Sequence, residues 1–231
     1  QTDIQTYPYN TIGFSAQVFP NDAMYRGTGF LVAPHTILTN GHIVYDRAQD
    51  EYAEWLEFAP AQYQAQQGGD AFRFYGARTA VGVQTNQQYI DAPDDGSEFR
   101  HDYAAAFIAE PFTNITTYMP LVFNHEPSFI NTAGYPAAAQ GEDTLSQWSC
   151  DGDVEGVYIR ILTYYADVTG GQSGSPVWVY DPDTGSPRVV ALVAFGSTDY
   201  NGGPRLVSEN QSLIEQWVQW EPVPLSEAID Q

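Results

Sequence analysis

Short runs of β-branched, aromatic and other apolar residues alternate with turn clusters along almost the whole chain. Clusters of Pro, Gly, Asn and Asp occur, for example, at 19–22, 92–96 and 181–185. Many short strands separated by turn residues predict an all-β sandwich or barrel. The runs predicted as strands are 11–18, 29–32, 36–39, 72–83, 103–109, 130–134, 157–165, 176–180 and 189–195.

Apolar residues recur at helical spacing near the C-terminus. Leu206, Leu213, Ile214, Trp217 and Val218 predict an α-helix there. The acidic and aromatic stretch 50–58 predicts a surface loop or a helical turn. Strand signals lapse between 112 and 127, so a seam between two halves of the chain is expected in that stretch.

The charge balance is strongly acidic, with 29 acidic residues, eight basic residues and a net charge of −21. A field of this sign repels nucleic acid and anionic membrane surfaces, so neither is an expected partner. No apolar run reaches the roughly 18 residues that a membrane-spanning helix needs. Cys150 is the only cysteine, so an intrachain disulfide is excluded and a free thiol is expected.

Other features predict a secreted, processed protein. The chain begins at Gln1 rather than Met, and it carries N-x-S/T triplets at Asn114 and Asn210. A monomer is expected.

The segment 170–176 reads Gly-Gly-Gln-Ser-Gly-Ser-Pro. A nucleophilic serine needs an exposed position on a tight turn, and flanking glycines allow that backbone geometry. The N–H groups of Gly171 and Ser173 are then expected to form an oxyanion hole. Ser175 stands where the last glycine of a G-x-S-x-G elbow would be, which disfavours an α/β-hydrolase.

A serine also needs a base, and an imidazole is the commonest one. His42 follows a predicted strand in the sequence Thr-Asn-Gly-His, where its side chain is expected to face a cleft. Asp102 leads into another predicted strand and could orient the imidazole; Asp46 is the rival acid. The order His42, Asp102, Ser173 is the one found in chymotrypsin-type enzymes.

These motifs resemble the glutamyl-endopeptidase branch of the chymotrypsin-like serine proteases. The resemblance covers nearly the whole chain up to the C-terminal helix. The matching segments are 8–12, 27–34, 38–42, 102–104, 133–136, 146–148, 165–167, 170–176 and 202–204.

The resemblance implies a double six-stranded β-barrel, followed by the C-terminal α-helix. Residues 1–115 would form the barrel that carries His42 and Asp102. Residues 116–231 would form the barrel that carries Ser173 and the S1 pocket, which binds the substrate residue before the scissile bond. The family hydrolyses peptide bonds through an acyl-enzyme and needs no metal or other cofactor for the chemistry, so the resemblance implies protein or peptide substrates as the partners.

Departures from the family pattern fall in the S1 pocket. Members that cut after Glu usually carry a His in the strand matching 190–196, where this chain has Val193, or Ala194 if the register shifts by one. They also carry Thr or Ser at the position of Val168. We therefore predict no strong preference for Glu. The predicted S1 residues are Asp167, Val168, Val193, Ala194, Phe195 and Gly196.

Asp167 lies six residues before Ser173 and is open to two interpretations: a structural residue, or an acid that selects Arg or Lys substrates. Two other functions are considered beside an active endopeptidase. One is a non-catalytic homologue acting as a binding module, and the other is an esterase. The presence of all three catalytic residue types favours the endopeptidase.

Overall fold

The computed structural model describes residues 3–65, 68–139 and 142–222. Helices are short in this part of the chain: α1 (Gly41–Val44), α2 (Gln87–Asp91), α3 (Ser208–Val218) and two 3₁₀ turns, Tyr9–Thr11 and Glu98–His101. The strands are β1 (Ile12–Val18), β2 (Met24–Ala33), β3 (Thr36–Thr39), β4 (Tyr45–Asp46), β5 (Glu51–Tyr52), β6 (Trp55–Pro60), β7 (Gln62–Gln64), β8 (Ala71–Arg73), β9 (Arg78–Thr79), β10 (Gly82–Thr85), β11 (Ala104–Phe107), β12 (Phe129–Gly134), β13 (Ala138–Ala139), β14 (Glu142–Asp143), β15 (Trp148–Val157), β16 (Ile161–Tyr164), β17 (Pro176–Tyr180), β18 (Pro187–Leu192), β19 (Phe195–Gly196) and β20 (Asn201–Pro204).

Two antiparallel sheets dominate the described chain. The first has the order β10-β11-β3-β2-β1-β6-β9 and the second has the order β18-β17-β12-β15-β16-β20-β19. The predicted all-β fold with two barrel-like halves and a C-terminal helix is confirmed. Each sheet contains seven strands rather than six, because a two-residue strand at one edge, β9 or β19, extends it. The boundary at residues 115 and 116 stays a prediction, and no named strand lies between β11 and β12 in the described chain.

One apolar cluster joins the two halves. It contains Ile12 and Phe30 from the first sheet, and Trp178 and Val189 from the second, all fully buried. Burial of such side chains contributes about 1.5–3 kcal/mol each. The two halves therefore share one hydrophobic core, which fixes the position of one sheet relative to the other.

The C-terminal helix α3 packs back onto the first half. The Thr36 hydroxyl donates to the Trp217 carbonyl oxygen at 2.7 Å, and the Trp217 indole N–H donates to Gln84 Oε1 at 2.9 Å. The Trp217 ring also lies 6.1 Å from that of Tyr103, the residue after Asp102. The helix thus braces the strand that follows Asp102.

Several sequence predictions were wrong about local structure; the run 157–165, for example, divides into the end of β15 and β16. The stretch 50–58 is not a loop or helical turn, because β6 pairs with β1 inside the first sheet. Leu56 and Phe58 are buried and Glu57 points outward, so the acidic residues masked the alternation of a strand. The run 72–83 is not one strand: it divides into the end of β8, then β9, and the start of β10.

Candidate active site

His42 projects from a one-turn helix, α1, which begins directly after β3. A glycine is required before it, since a β-carbon at Gly41 would lie 2.7 Å from the Tyr89 ring and 2.9 Å from Thr85 Oγ1. Because residue 41 has no β-carbon, the turn that carries His42 packs closely against the first barrel. The His42 side chain remains 35% exposed, so its ring reaches the cleft.

Asp102 lies at the end of the 3₁₀ turn before β11 and is completely buried. Its Oδ2 lies 2.7 Å from His42 Nδ1, and its Oδ1 accepts the backbone N–H of His42 at 2.9 Å. Asn40 Nδ2 donates to the Asp102 carbonyl at 2.6 Å. Because both carboxylate oxygens are bonded to His42, the ring is fixed with Nδ1 toward Asp102 and Nε2 free for the cleft.

Two opposing effects determine the pKa of the His42 imidazole. Burial of the ring lowers the pKa of His42, while the negative charge of Asp102 and the hydrogen bond to it raise it. The two contributions of Asp102 together outweigh that of burial, so the pKa of His42 is raised above its ordinary value. A raised pKa makes the imidazole a stronger proton acceptor and stabilises the imidazolium that a proton transfer creates.

Asp46 does not orient the imidazole. Its Oδ1 accepts the backbone N–H groups of Ala48 and Gln49 at 2.9 and 3.3 Å, within its own turn. Asp46 lines the same cavity as His42, but the hydrogen bonds of the ring go to Asp102. Of the two acids proposed from the sequence, the structure brings Asp102 to the histidine.

Ser173 sits on a turn that only glycines allow. Gly171 and Gly174 have φ angles of +94° and +85°, the left-handed region. A β-carbon at Gly174 would lie 2.1 Å from the Thr28 carbonyl oxygen, and one at Gly171 would lie 2.6 Å from that of Tyr135. The Thr28 N–H donates to the Ser173 carbonyl at 2.8 Å, which anchors the turn to β2 of the other barrel.

The N–H groups of Gly171 and Ser173 are unused within residues 3–65, 68–139 and 142–222. The intervening N–H of Gln172 is bonded to the Thr169 carbonyl at 3.1 Å. Two unpaired donors on one tight turn are suited to a developing oxyanion.

His42, Asp102 and Ser173 line one cavity of about 520 Å³. The Ser173 hydroxyl makes no hydrogen bond to any described residue, so the structure shows the His42–Asp102 pair without a Ser–His bond. In substrate-free enzymes such bonds are often long and tighten only when substrate is bound.

A second cavity of about 320 Å³ adjoins the first and shares Ser173 and Ala194 with it. Five of the six predicted S1 residues line it: Val168, Val193, Ala194, Phe195 and Gly196. Asp167 does not; its side chain is exposed, and its carbonyl accepts the Cys150 thiol at 3.0 Å.

Sequence reasoning missed four residues of this second cavity: Thr169, Gly170, Ser197 and Asn201. Asn201 Nδ2 donates to the Ala166 carbonyl at 2.8 Å, which ties β20 to the turn before Ser173. The family-like segment 202–204 directly after Asn201 was the available signal for this wall.

Cys150 is not placed as a nucleophile. Burial, followed by the nearby charges of Asp167 and Asp151, raises the pKa of its thiol to about 12. A thiol with such a pKa is protonated at neutral pH and therefore unreactive.

Within the described residues, no group of three or more His, Cys, Asp or Glu side chains is placed to hold a metal ion, and no helix has the length and apolarity to cross a membrane.

Solved structures share this fold. A Glu endopeptidase solved in complex with MPD superposes with a TM-score of 0.76 at 24% identity, covering 95% of both chains. A thermostable serine protease, AL20, from an extremophilic microorganism gives a TM-score of 0.70 at 24% identity over 88% of this chain and 94% of the other. The protease Anisep from Arthrobacter nicotinovorans gives 0.74 at 20% identity over 91% and 96%.

Curated relatives match in sequence. The glutamyl endopeptidase of Bacillus licheniformis is 25% identical over 226 residues, which cover 94% of this chain. A Bacillus subtilis protein named extracellular metalloprotease is 26% identical over 215 residues, 92% of this chain. The alignments span 65% and 64% of those relatives' own lengths.

The family model described as "trypsin-like peptidase domain" matches residues 27–192, a segment that contains His42, Asp102 and Ser173. This match confirms the resemblance found in the sequence motifs. The chain belongs to the family of trypsin-like peptidase domains.

Proposed function

We propose that this chain is a serine endopeptidase in which Ser173 is the nucleophile, His42 the general base and Asp102 the group that orients it. The observation that carries the proposal is the His42–Asp102 hydrogen bond of 2.7 Å inside the cavity that Ser173 lines. Since Nδ1 donates to Asp102, Nε2 carries the lone pair that can remove the Ser173 proton.

The first half of the reaction forms an acyl-enzyme. Ser173 Oγ attacks the substrate carbonyl carbon while His42 Nε2 takes its proton, and the carbonyl oxygen becomes an oxyanion. The N–H groups of Gly171 and Ser173 stabilise that charge. The tetrahedral intermediate collapses, the peptide C–N bond breaks, and His42 gives its proton to the leaving amine.

The second half returns the enzyme to its starting state. A water molecule loses a proton to His42 Nε2 and attacks the acyl carbon. The ester bond to Ser173 breaks, and the proton on His42 passes to Ser173 Oγ as the acid product leaves. Asp102 remains ionised throughout and stabilises the imidazolium in both halves.

Substrate binding uses a free sheet edge. The strand β19 is the last strand of the second sheet, and its two residues, Phe195 and Gly196, also line the 320 Å³ cavity. An extended peptide can add to such an edge through backbone hydrogen bonds. Its side chain before the scissile bond then enters that cavity, which we assign as S1.

The proposed S1 pocket favours an uncharged side chain. Val168, Val193, Ala194 and Phe195 supply its apolar walls, and no Arg or His of the described chain lines it. A Glu side chain would lose water there without gaining a cation, which costs several kcal/mol. The alternative preference for Arg or Lys depends on Asp167, whose side chain is exposed outside the pocket.

Secretion also belongs to the proposal. One matching relative is named as extracellular, and the acidic composition suits solubility outside the cell.

Of the two N-x-S/T triplets, Asn114 is exposed in a turn. Asn210 is 5% exposed; its Oδ1 accepts the Val207 N–H and its Nδ2 donates to the Arg205 carbonyl, so the fold excludes a glycan there.

Covalent labelling tests the proposed nucleophile. We expect a fluorophosphonate to form one stable adduct with the folded protein, and tandem mass spectrometry of the digested adduct to place it on Ser173. Heat-denatured protein is the control, since a serine is weakly nucleophilic without its base. An adduct on any other residue, or none on the native protein, contradicts the assignment.

A peptide-library digest tests the proposed S1 preference. We expect cleavage after uncharged residues, with kcat/KM at least about 100-fold lower for a matched Glu peptide because of the unpaired buried charge. A Val193→His variant, which adds a potential cation to the pocket, is expected to narrow that difference. Cleavage by the unmodified enzyme almost only after Glu would refute the prediction.

A further inference from the structure

One buried polar side chain in the catalytic cavity has no hydrogen-bond partner for its oxygen within the described residues. Gln17, on β1, is 1% exposed and lines the cavity together with His42 and Ser173. Its Oε1 is buried and unbonded. A buried amide without a partner destabilises the folded state, so its place in the wall of a catalytic cavity indicates a group that binds something.

Gln17 lies in the part of the catalytic cavity that the β1–β2 hairpin lines, where we place the substrate residues after the scissile bond. It lines the cavity beside Phe19 and Tyr25, which belong to the β1–β2 hairpin. The S1 cavity contains none of these three residues within the described chain and adjoins the other cavity at Ser173. A substrate that fills S1 and crosses Ser173 therefore continues toward the hairpin.

Several other polar groups of the cavity already have partners, whereas Glu98 Oε2 and Arg47 Nε are also buried and unbonded within the described residues. The Arg26 guanidinium donates to two backbone carbonyls, those of Ala137 at 3.0 Å and Thr144 at 3.2 Å. Arg47 pairs with Asp94 at 2.7 Å. The rings of Phe19 and Tyr25 meet edge to face at 5.9 Å and supply an apolar wall. The Gln17 amide is thus a polar group with unused capacity beside an apolar surface.

We propose that Gln17 is a specificity-determining residue that selects a carboxamide side chain, Asn or Gln, at the first or second substrate position after the scissile bond. An amide offers one acceptor and one donor group, and a second carboxamide matches both in either orientation. An aliphatic side chain would leave Gln17 unpaired in the complex. The inference rests on the proposed peptidase function.

Two substrate series separate this role from catalysis. The first contains internally quenched peptides that share one sequence and differ only in carrying Gln, Asn, Leu or Met after the scissile bond. The second is a p-nitroanilide with the same residues before the bond and none after it. We expect the unmodified enzyme to favour the carboxamide peptides by about three- to tenfold in kcat/KM.

Variants of β1 supply the matched comparison. Gln17→Met keeps the length of the side chain and is expected to abolish the carboxamide preference, with a larger fractional loss of kcat/KM on the carboxamide peptides than on the p-nitroanilide. Gln17→Glu keeps the shape and removes the donor, so it is expected to weaken the preference as well. Ser15→Ala is the control: Ser15 Oγ is also buried and unbonded on the same strand, but Ser15 does not line the cavity.

The outcomes are distinct. Equal rates for carboxamide and aliphatic peptides in the unmodified enzyme overturn the inference, and so does a preference that survives in both Gln17 variants. An equal loss on peptides and on the p-nitroanilide assigns Gln17 a structural role and also overturns it. Cleavage of neither substrate series refutes the peptidase function itself, and the inference with it.

Discussion

Replacing Ser173 by Ala is expected to lower kcat for peptide hydrolysis by about a millionfold, to the level that binding and the oxyanion donors provide alone. The variant keeps the turn, because Gly171 and Gly174 set its backbone and the Thr28–Ser173 backbone hydrogen bond does not use the side chain. Casein hydrolysis and single-turnover cleavage of a peptide measure the loss.

Ser175→Ala is the matched control for this change. Ser175 is two residues away, fully buried, and its hydroxyl is unbonded within the described chain. Its removal takes an oxygen from the same motif without touching the catalytic cavity, so activity is expected to persist. A Ser173→Ala enzyme that still cleaves peptides would exclude Ser173 as the nucleophile.

Replacing Asp102 by Asn is expected to lower kcat by about 10⁴-fold with little change in KM. The amide nitrogen of Asn would donate to His42 Nδ1 in place of the carboxylate that now accepts from it. The ring would then carry its proton on Nε2 and could not accept the proton of Ser173. Initial rates at saturating substrate concentration measure the change in kcat.

The dependence on pH distinguishes this role from a structural one. In the unmodified enzyme kcat/KM is expected to fall tenfold per pH unit below the pKa of His42, because the protonated ring is no base. Asp102 raises that pKa, so Asp102→Asn moves the acid limb of the profile to lower pH while the plateau falls.

Asp46→Asn tests the rival acid under the same conditions. Asp46 lines the cavity, but within the described chain its carboxylate accepts hydrogen bonds only from its own turn, so its loss is expected to leave the plateau and the acid limb close to those of the unmodified enzyme. If Asp46→Asn instead reproduced the kcat loss and the pH shift, the orienting role would move from Asp102 to Asp46.

Much of the fold was predictable because strands and turns depend on neighbouring residues. The run at 36–39 coincides with β3, the run at 176–180 with β17, and the helical spacing near the C-terminus with α3. Failures occurred where composition hid the alternation of side chains. β6 carries an acidic residue, Glu57, on its outer face, and β15 alternates exposed with partly buried positions and contains no apolar run.

The candidate site likewise contains some residues that could be predicted from the sequence and others that could not. The glycines at 171 and 174 are local requirements of one turn and could be recognised from the motif. The S1 wall could be predicted for Val193 to Gly196, which lie on one stretch, but not for Asn201, which comes from a strand that folds back beside it. Asp167 lies outside the second cavity, because its distance in sequence from Ser173 does not fix the direction of its side chain.

By itself the sequence determined the strand-rich class, the glycine turn around the nucleophile and the residue types of a serine peptidase, because these depend on local conformational preference and on chemistry. Tertiary structure decided which acid meets His42, since Asp46 and Asp102 differ only in where the chain brings them. It also decided that the Gln17 amide oxygen is buried in the wall of the cavity that Ser173 lines, without a partner among the described residues. Burial and unpaired hydrogen-bonding groups arise only when distant segments pack together, and no single segment encodes them.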